Sequence, residues 1–390
     1  MQQKLRKAFK QQLLYKKIKM EKAGKEKFKV TPWEVSGKVD YNRLIKEFGT
    51  ERISENMLKG IEKLAGDLHF LLRRKIFFSH RDLNWLFKEY EKGNKFFLYT
   101  GRGPSGKTHI GHLVPWILTK WFQDKFNCNL YFQFTDDEKF LFNPELSLKD
   151  TKKLAYENAL DVIAIGFDAK RTKFIMDTEN IKKLYPLALK VAKKLTFSTV
   201  KAVFGFTNET NVGSIFFTTI QSAPCFFEDK PCLIPLAIDQ DAHFRITRDI
   251  APKLGLRKPA LVHSIFLPGL TGSAKMSSSI PGDALFTTDT PKQVEKKVKK
   301  YAFSGGQPTV AEHRKKGGNP DIDISYQWLK ILFEPDDKKL QKIYNDYKSG
   351  KLLTSELKEI LIEKVKAFLK KHQVAREKAK KQLDKFILKD

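Results

Sequence analysis

The sequence predicts an α/β fold, a parallel sheet wound on both faces and followed by a helical region. Three observations carry that prediction. Short apolar runs alternate with segments of helical periodicity between residues 95 and 266. Gly and polar residues follow these runs, where strands give way to turns. After about Thr290 the apolar runs stop and only helical periodicity remains.

Taken in order, residues 1–29 hold eleven Lys/Arg against Glu21 and Glu26, with Leu5, Phe9 and Leu13 at i, i+4 spacing. They predict a basic helical extension, and both a solvated helix and an arm for RNA or a membrane surface fit it. "VTPWEVSGKVDY" (Val30–Tyr41) predicts a short hairpin, and two helical stretches follow to about Glu91. Gly93 and Asn94 break the chain. "KFFLYT" (Lys95–Thr100) predicts a buried strand, with a turn from Gly101. Ile110, Leu113, Ile117, Leu118 and Trp121 then recur at helical spacing. "NLYFQF" (Asn129–Phe134) predicts a second strand, and a helix over about Lys149–Ile165 precedes a third, "TKFIMD" (Thr172–Asp177). A helical insertion is expected around residues 178–230, before strands at "CLIPLAID" (Cys232–Asp239) and "ALVHSIF" (Ala260–Phe266). Lys292–Tyr301, Tyr326–Leu332, Lys338–Tyr347 and Thr354–Lys371 read as helices, and no internal repeat is present.

The expected organisation is therefore an extension (1–29), an appended segment (30–92), a Rossmann-like doubly wound parallel sheet domain (93–289) and a separate helical region (290–390). Such sheets bind nucleotides at the carboxyl ends of their strands. Tyr99–Gly103, Gln133–Glu138 and Asp239–Gln240 fall at those ends.

Charge narrows the class of partner. The formal net charge is +28, which points to a polyanion. The two ends hold much of it, since residues 364–389 carry ten Lys/Arg against Glu377 and Asp384. The interior stays basic without them. Cys128, Cys225 and Cys232 form no C-x-x-C pair, which argues against structural zinc and fits a reducing compartment. No apolar run of about 18 residues is present, so no membrane partner is expected. The acid-poor start is Lys/Gln-rich rather than Arg/Ser-rich, and a cytoplasmic location is expected.

The stretch "GRGPSGKTHIGH" (Gly101–His112) fits two motifs at once. Gly101, Gly106, Lys107 and Thr108 match the phosphate loop of nucleotide hydrolases, and "YFQFTDD" could supply its Mg²⁺-holding Asp. His109 and His112 offer a different phosphate site. At i, i+3 on a helix start both rings can donate to phosphate oxygens, and Gly111 lets a nucleotide approach the backbone. "AKMSSS" (Ala274–Ser279), reached through the Gly-rich "PGLTGS", tips the balance. Lys275 on a mobile loop can close onto a triphosphate as charge builds there.

With both segments in hand, the sequence resembles the class I aminoacyl-tRNA synthetases, whose signatures are H-I-G-H and K-M-S-K-S. The second departs from the family pattern at Ser278, leaving Lys275 the one lysine of the motif. "FLYTGRGPS", "QFTDDEKFL", "AIDQDAHFRITRD", "KMSSS" and "AFSGG", spread from Phe97 to Gly306, narrow the resemblance to eukaryotic-type tryptophanyl-tRNA synthetases. "TPWEV" and "IFFSHRDLN" extend it towards the N-terminus, while residues 1–29 lie outside it.

The resemblance implies activation of L-tryptophan by ATP, then transfer to tRNA, with no protein nucleophile. It implies catalytic roles for His109, His112, Lys275 and Ser277. It places Arg102, Gly103, Gly111, Lys139 and Met276 with His109, His112, Lys275 and Ser277 on ATP. Mg²⁺ would arrive with the nucleotide rather than on protein side chains, and no tightly bound cofactor is implied. A buried indole N–H needs an acceptor, and the resemblance assigns Tyr99 and Gln133 to it. It assigns Glu138, Gln221 and Gln240 to the α-ammonium. The helical region would read the anticodon of the tRNA for tryptophan, and the protein would be a homodimer. A tyrosine–tRNA ligase, a phosphate-loop hydrolase and a catalytically silent RNA-binding relative are the competing expectations.

Overall fold

The structure is a computed structural model that describes residues 28–31, 35–37 and 39–389. The expected basic helix at the start lies almost wholly outside the described residues. The expected hairpin is present, with β1 (Lys29–Val30) antiparallel to β2 (Val35–Ser36).

A seven-stranded sheet organises the rest, in the order β3-β4-β9-β8-β5-β6-β7. Five of its strands are the expected apolar runs: β5 (Phe97–Arg102), β6 (Leu130–Phe134), β7 (Thr172–Met176), β8 (Cys232–Ala237) and β9 (Ala260–Ser264). All pairings among these five are parallel. Helices Leu113–Phe126 and Leu148–Ala164 connect them, as their periodicity requires.

Two strands depart from the expectation of helix before Glu91. β3 (Glu51–Arg52) and β4 (Phe77–Arg81) extend the sheet, and β4 runs antiparallel to β9. The residues Phe77–Arg81 form a strand because a partner edge, some 180 residues later in the chain, satisfies their backbone groups. The strand β5 also outlasts its expected end, carrying Gly101 and Arg102 into the sheet.

The many phenylalanines pack the layers. Phe132 sits opposite Phe174 across β6 and β7, with Phe134 beside them and Phe386 stacked on Phe174. Strand alternation sends Gln133 to the other face, with Ile175 opposite it.

The helical region after residue 290 is less separate than expected, because it shares the main hydrophobic core with the sheet domain. Its long helix Thr354–Ala379 lies on helix Leu148–Ala164, where His372 Nε2 meets Asp161 Oδ1 at 3.0 Å. Leu388 N–H then donates to Phe174 O at the sheet edge, at 2.8 Å. The insertion is helical as expected, with Ile181–Ala192, Phe197–Phe204 and Val212–Ser222.

A buried ion network ties the appended segment to the sheet. Asp241 accepts from Arg81 Nε at 2.7 Å and Nη2 at 2.8 Å, and meets His263 Nε2 at 3.1 Å. His263 Nδ1 meets Ser79 Oγ at 3.1 Å. The Ser79–His263–Asp241 sequence looks like a hydrolase triad, but all three side chains are sealed from solvent. It acts as a brace holding helix Asp241–Ile250 to β4 and β9. Burial pushes the Asp241 carboxyl up, yet the Arg81 and His263 contacts outweigh it and hold the group below its usual range. Its contribution is therefore present above the unfolded value near pH 4 and lost as pH falls through the lower folded value. Asp241→Ala strands two partners in the interior. It is expected to cost about 3–5 kcal/mol, read as a lower urea midpoint, with Asp241→Asn costing less.

Candidate active site

Between β5 and β8 the sheet reverses its winding, since β6 and β7 build outward on one side and β9 on the other. A crevice opens beyond the strand ends at such a point. Here it holds a cavity of about 280 Å³. Thirteen of the fourteen residues nominated from sequence line it: Tyr99, Arg102, Gly103, His109, Gly111, His112, Gln133, Glu138, Lys139, Gln221, Gln240, Lys275 and Met276.

Ser277 does not. Its N–H donates to Asp283 Oδ2 at 2.9 Å and its hydroxyl meets Ser279 Oγ at 2.7 Å. It is turned into the loop rather than towards the cavity.

One end of the cavity is basic. The chain enters it extended at His109, makes a 3₁₀ turn over Ile110–His112, and continues as helix Leu113–Phe126. The expected histidine pair thus sits on a tighter turn than an α-helix, with ring centroids 3.6 Å apart. His112 Nδ1 lies 3.3 Å from His109 N and 3.1 Å from His109 O, so the Nδ1 edge is occupied by backbone. A side chain at Gly111 would put its Cβ 3.1 Å from the His109 ring. Glycine here leaves room for the ring and for whatever lies against it. Burial, reinforced by the cations Arg102 and Lys275, pushes His109 down to about 3 and His112 well below its usual value. Both imidazoles are neutral at physiological pH and offer N–H groups rather than charge.

Positive charge comes from Lys275 and Arg102. Lys275 Nζ pairs with Asp239 Oδ2 at 2.6 Å across the cavity mouth. Asp239 is buried with Oδ1 unpartnered. Arg102 is committed to protein groups, with Nε on Asn158 and Nη2 3.3 Å from the carbonyls of both Gly106 and Lys107. The phosphate-loop match fails on this geometry. Its turn aims carbonyls at an arginine instead of gathering N–H groups, and Lys107 is exposed and outside the cavity. Of the two acids in "YFQFTDD", Asp136 accepts from Thr178 N–H at 3.1 Å and Asp137 from Glu138 N–H at 2.7 Å.

The other end is apolar with a few polar atoms. Ile234, Leu236, Phe244 and the Tyr99 ring form its walls. Tyr99 Oη donates to Gln133 Oε1 or to Gln221 O, the latter at 2.9 Å. Gln133 Nε2 donates to Asp177 Oδ1 at 2.7 Å. Between the two ends, Glu138 holds Lys139 at 2.8 Å and accepts from Thr135 Oγ1 at 2.6 Å. Burial pushes the Glu138 carboxyl up, and these partners more than reverse it. A Cβ on Gly103 would lie 2.1 Å from Lys139 Cε, so a side chain there would push that lysine from its path to Glu138. Gln221 Oε1 is buried without a partner, and Gln240 Nε2 reaches Asp239 Oδ2 at 3.4 Å.

Asp239, which lines the cavity, and Asp177, which supports it, are residues to which sequence reasoning assigned no role. Asp239 had a signal, lying at a strand end beside Gln240. Asp177 had only its place at the end of β7.

The profile of the class I tRNA synthetases (W and Y) matches residues 91–370, and the chain belongs to that family. The tryptophan–tRNA ligase of Sulfurisphaera tokodaii is 57% identical over 92% of this chain and 95% of its own. That of Pyrococcus furiosus is 53% identical over 93% and 94%. The solved tryptophanyl-tRNA synthetase of Plasmodium falciparum superimposes with a TM-score of 0.83 at 45% identity, covering 87% of this chain and 94% of its own. That of Giardia lamblia gives 0.85 at 38% identity, covering 90% and 96%.

Because burial keeps both histidines neutral, nitrogen NMR of the ligand-free protein should show no protonation of His109 or His112 between about pH 8 and 5, although a free imidazole titrates near 6.5. A histidine with a lowered folded value contributes stability above about pH 6.5 that is lost as pH falls towards that value. A midpoint near 6.5 for either ring would contradict the neutral assignment.

Proposed function

We propose that the cavity activates L-tryptophan with ATP, giving tryptophanyl-adenylate and pyrophosphate, and that the chain then transfers tryptophan to its tRNA. The observation that carries this reading is the placement of the His109–His112 turn and Lys275 at one end of a cavity whose far end is Tyr99 and Gln133.

In the first step a tryptophan carboxylate oxygen attacks the α-phosphorus of ATP. The bond from that phosphorus to the bridging oxygen breaks, and pyrophosphate leaves. No protein atom is attacked. Catalysis consists of alignment and of groups placed where charge grows. His109 and His112 donate neutral N–H groups to phosphate oxygens from the helix start. Lys275 leaves Asp239 and follows the developing charge on the β- and γ-phosphates. Arg102 adds field from the wall while fixing the 106–107 turn, and Gly103, Gly111, Lys139 and Met276 shape the ATP side. Ser277 acts at most through the loop it helps fold. ATP is taken as its Mg²⁺ complex, with the ion held by the phosphates.

At the other end the indole plate lies among Tyr99, Ile234, Leu236 and Phe244. Its N–H donates to Tyr99 Oη or Gln133 Oε1. The α-ammonium sits at Glu138, Gln221 and Gln240, where Gln221 Oε1 is an open acceptor and Lys139 gives way at Glu138. Phenylalanine fills the slot but offers no donor, so the polar atoms beneath it stay unpaired and it is rejected strongly.

The helical region 290–390 binds the tRNA anticodon arm. The protein works as a homodimer. Ile181, Tyr185 and Leu189 support this, since they recur at i, i+4, i+8 on one helix and are each at least 40% exposed. Three buried free cysteines suit the reducing cytoplasm. Among the described residues no helix is long and apolar enough to cross a membrane.

ATP–pyrophosphate exchange with each common amino acid tests the reading. Tryptophan alone should support rapid exchange, and exchange with tyrosine but not tryptophan would overturn it. His112→Ala and Lys275→Ala should each lower kcat/KM by about 10²–10³, whereas Lys107→Ala should change it less than about threefold. Sedimentation should give a dimer, and Tyr185→Lys with Leu189→Lys should shift it to monomer.

A further inference from the structure

Beneath the indole end lies a pair of acids for which the reaction has no use. Asp177 follows β7 and is almost fully buried. Asp137 stands at the start of helix Asp136–Phe142, half-buried. The two carboxyls are hydrogen-bonded to each other. Carboxylates only accept, so two in contact require a proton between them. The other contacts leave this as the missing donor. Asp177 Oδ1 takes Gln133 Nε2 at 2.7 Å, while Asp177 Oδ2 has no N–H or O–H from the rest of the protein. Asp137 Oδ1 takes the Glu138 N–H at 2.7 Å.

We infer that Asp137 and Asp177 share one proton, and that this singly protonated pair is a specificity-determining device that fixes the Gln133 amide with its carbonyl towards Tyr99 and the indole. The inference rests on the reading of the cavity as a tryptophan site. Its logic is directional. With the proton held between the carboxyls, Asp177 Oδ1 remains an acceptor, so it takes the amide N–H and turns Oε1 to the cavity. A proton moved onto Oδ1 would present O–H to Gln133 and favour the flipped amide. The flipped amide would point N–H at the indole N–H, setting donor against donor.

The surroundings keep the proton in place. The charged neighbours that act most on the pair are the acids Asp136 and Glu138, with Tyr99 beside it. Burial is the first cause that raises both carboxyls above the usual aspartate range; the charge of Asp137 raises Asp177 further, while the contact with Asp177 and the Glu138 N–H partly offset the rise at Asp137.

Asparagine mimics a protonated aspartate, and this supplies the test. In Asp177→Asn the new amide would accept from Gln133 through its oxygen and donate to Asp137 through its nitrogen. Infrared spectroscopy of the full-length protein at neutral pH should show a buried protonated-carboxyl band that disappears in Asp177→Asn and in Asp137→Asn. Both variants should raise KM for tryptophan by less than the apolar replacement Asp177→Leu does. Asp177→Leu, which gives the Gln133 amide no partner, should raise KM for tryptophan about 10–100-fold and erode discrimination against phenylalanine, with KM for ATP unchanged. Absence of the band in the parent protein would overturn the shared proton, and it remains decisive if Asp177→Leu does not fold. A folded Asp177→Leu with normal tryptophan KM would overturn the positioning role. Failure of tryptophan to support exchange at all would instead count against the function, leaving the band to test the pair.

Discussion

The parallel pairing of β5 with β8 is the constraint on which the site depends. Phe97 and Leu98 pair with Cys232 and Leu233, so two strands more than 130 residues apart in the chain start side by side. Beyond that start their ends diverge, β5 into the Arg102–His109 turn and β8 into Asp239 and Gln240. The helical insertion is the length of chain that makes the return to the sheet centre possible. Had β8 joined the β7 edge, the polar end of β5 would face a neighbouring strand rather than a crevice. The apolar residues that build this pairing therefore determine the site as firmly as the polar residues that line it.

In the proposed reading the cavity separates two electrostatic tasks. At the phosphate end, half-buried neutral histidines provide direction, and a lysine balanced by Asp239 provides charge that can move. Neutral donors are cheaper to hold in a partly dry site than cations would be, and they do not bind stray anions as tightly. At the indole end the polar atoms form a chain, Tyr99 to Gln133 to Asp177, in which each member has its donor or acceptor assigned by the next. On that reading such a chain would favour a ligand that brings one donor to it.

Much of this was legible in the sequence, for identifiable reasons. The strands β5 to β9 are short apolar runs bounded by polar residues, and a parallel strand buried on both faces has to read that way. β4 was not legible, because "IFFSHR" follows a helical stretch and becomes a strand only when β9 is beside it. The cavity residues were legible because the signatures and strand ends mark them. Orientation within the cavity was not. Nothing in "KMSSS" shows that Ser277 turns to Asp283, and nothing in "YTGRG" shows that Arg102 is spent on Asn158 and two carbonyls. The proton between Asp137 and Asp177 is a property of burial and contact, which one-dimensional spacing does not carry.

The most direct test of the two-ended cavity is a crystal structure with a non-hydrolysable tryptophanyl-adenylate analogue. The account predicts the indole N–H within about 3.2 Å of Tyr99 Oη or Gln133 Oε1, with the phosphate end at the His109–His112 turn. An indole bound elsewhere, or a phosphate seated on the Gly106–Lys107 turn, would contradict it.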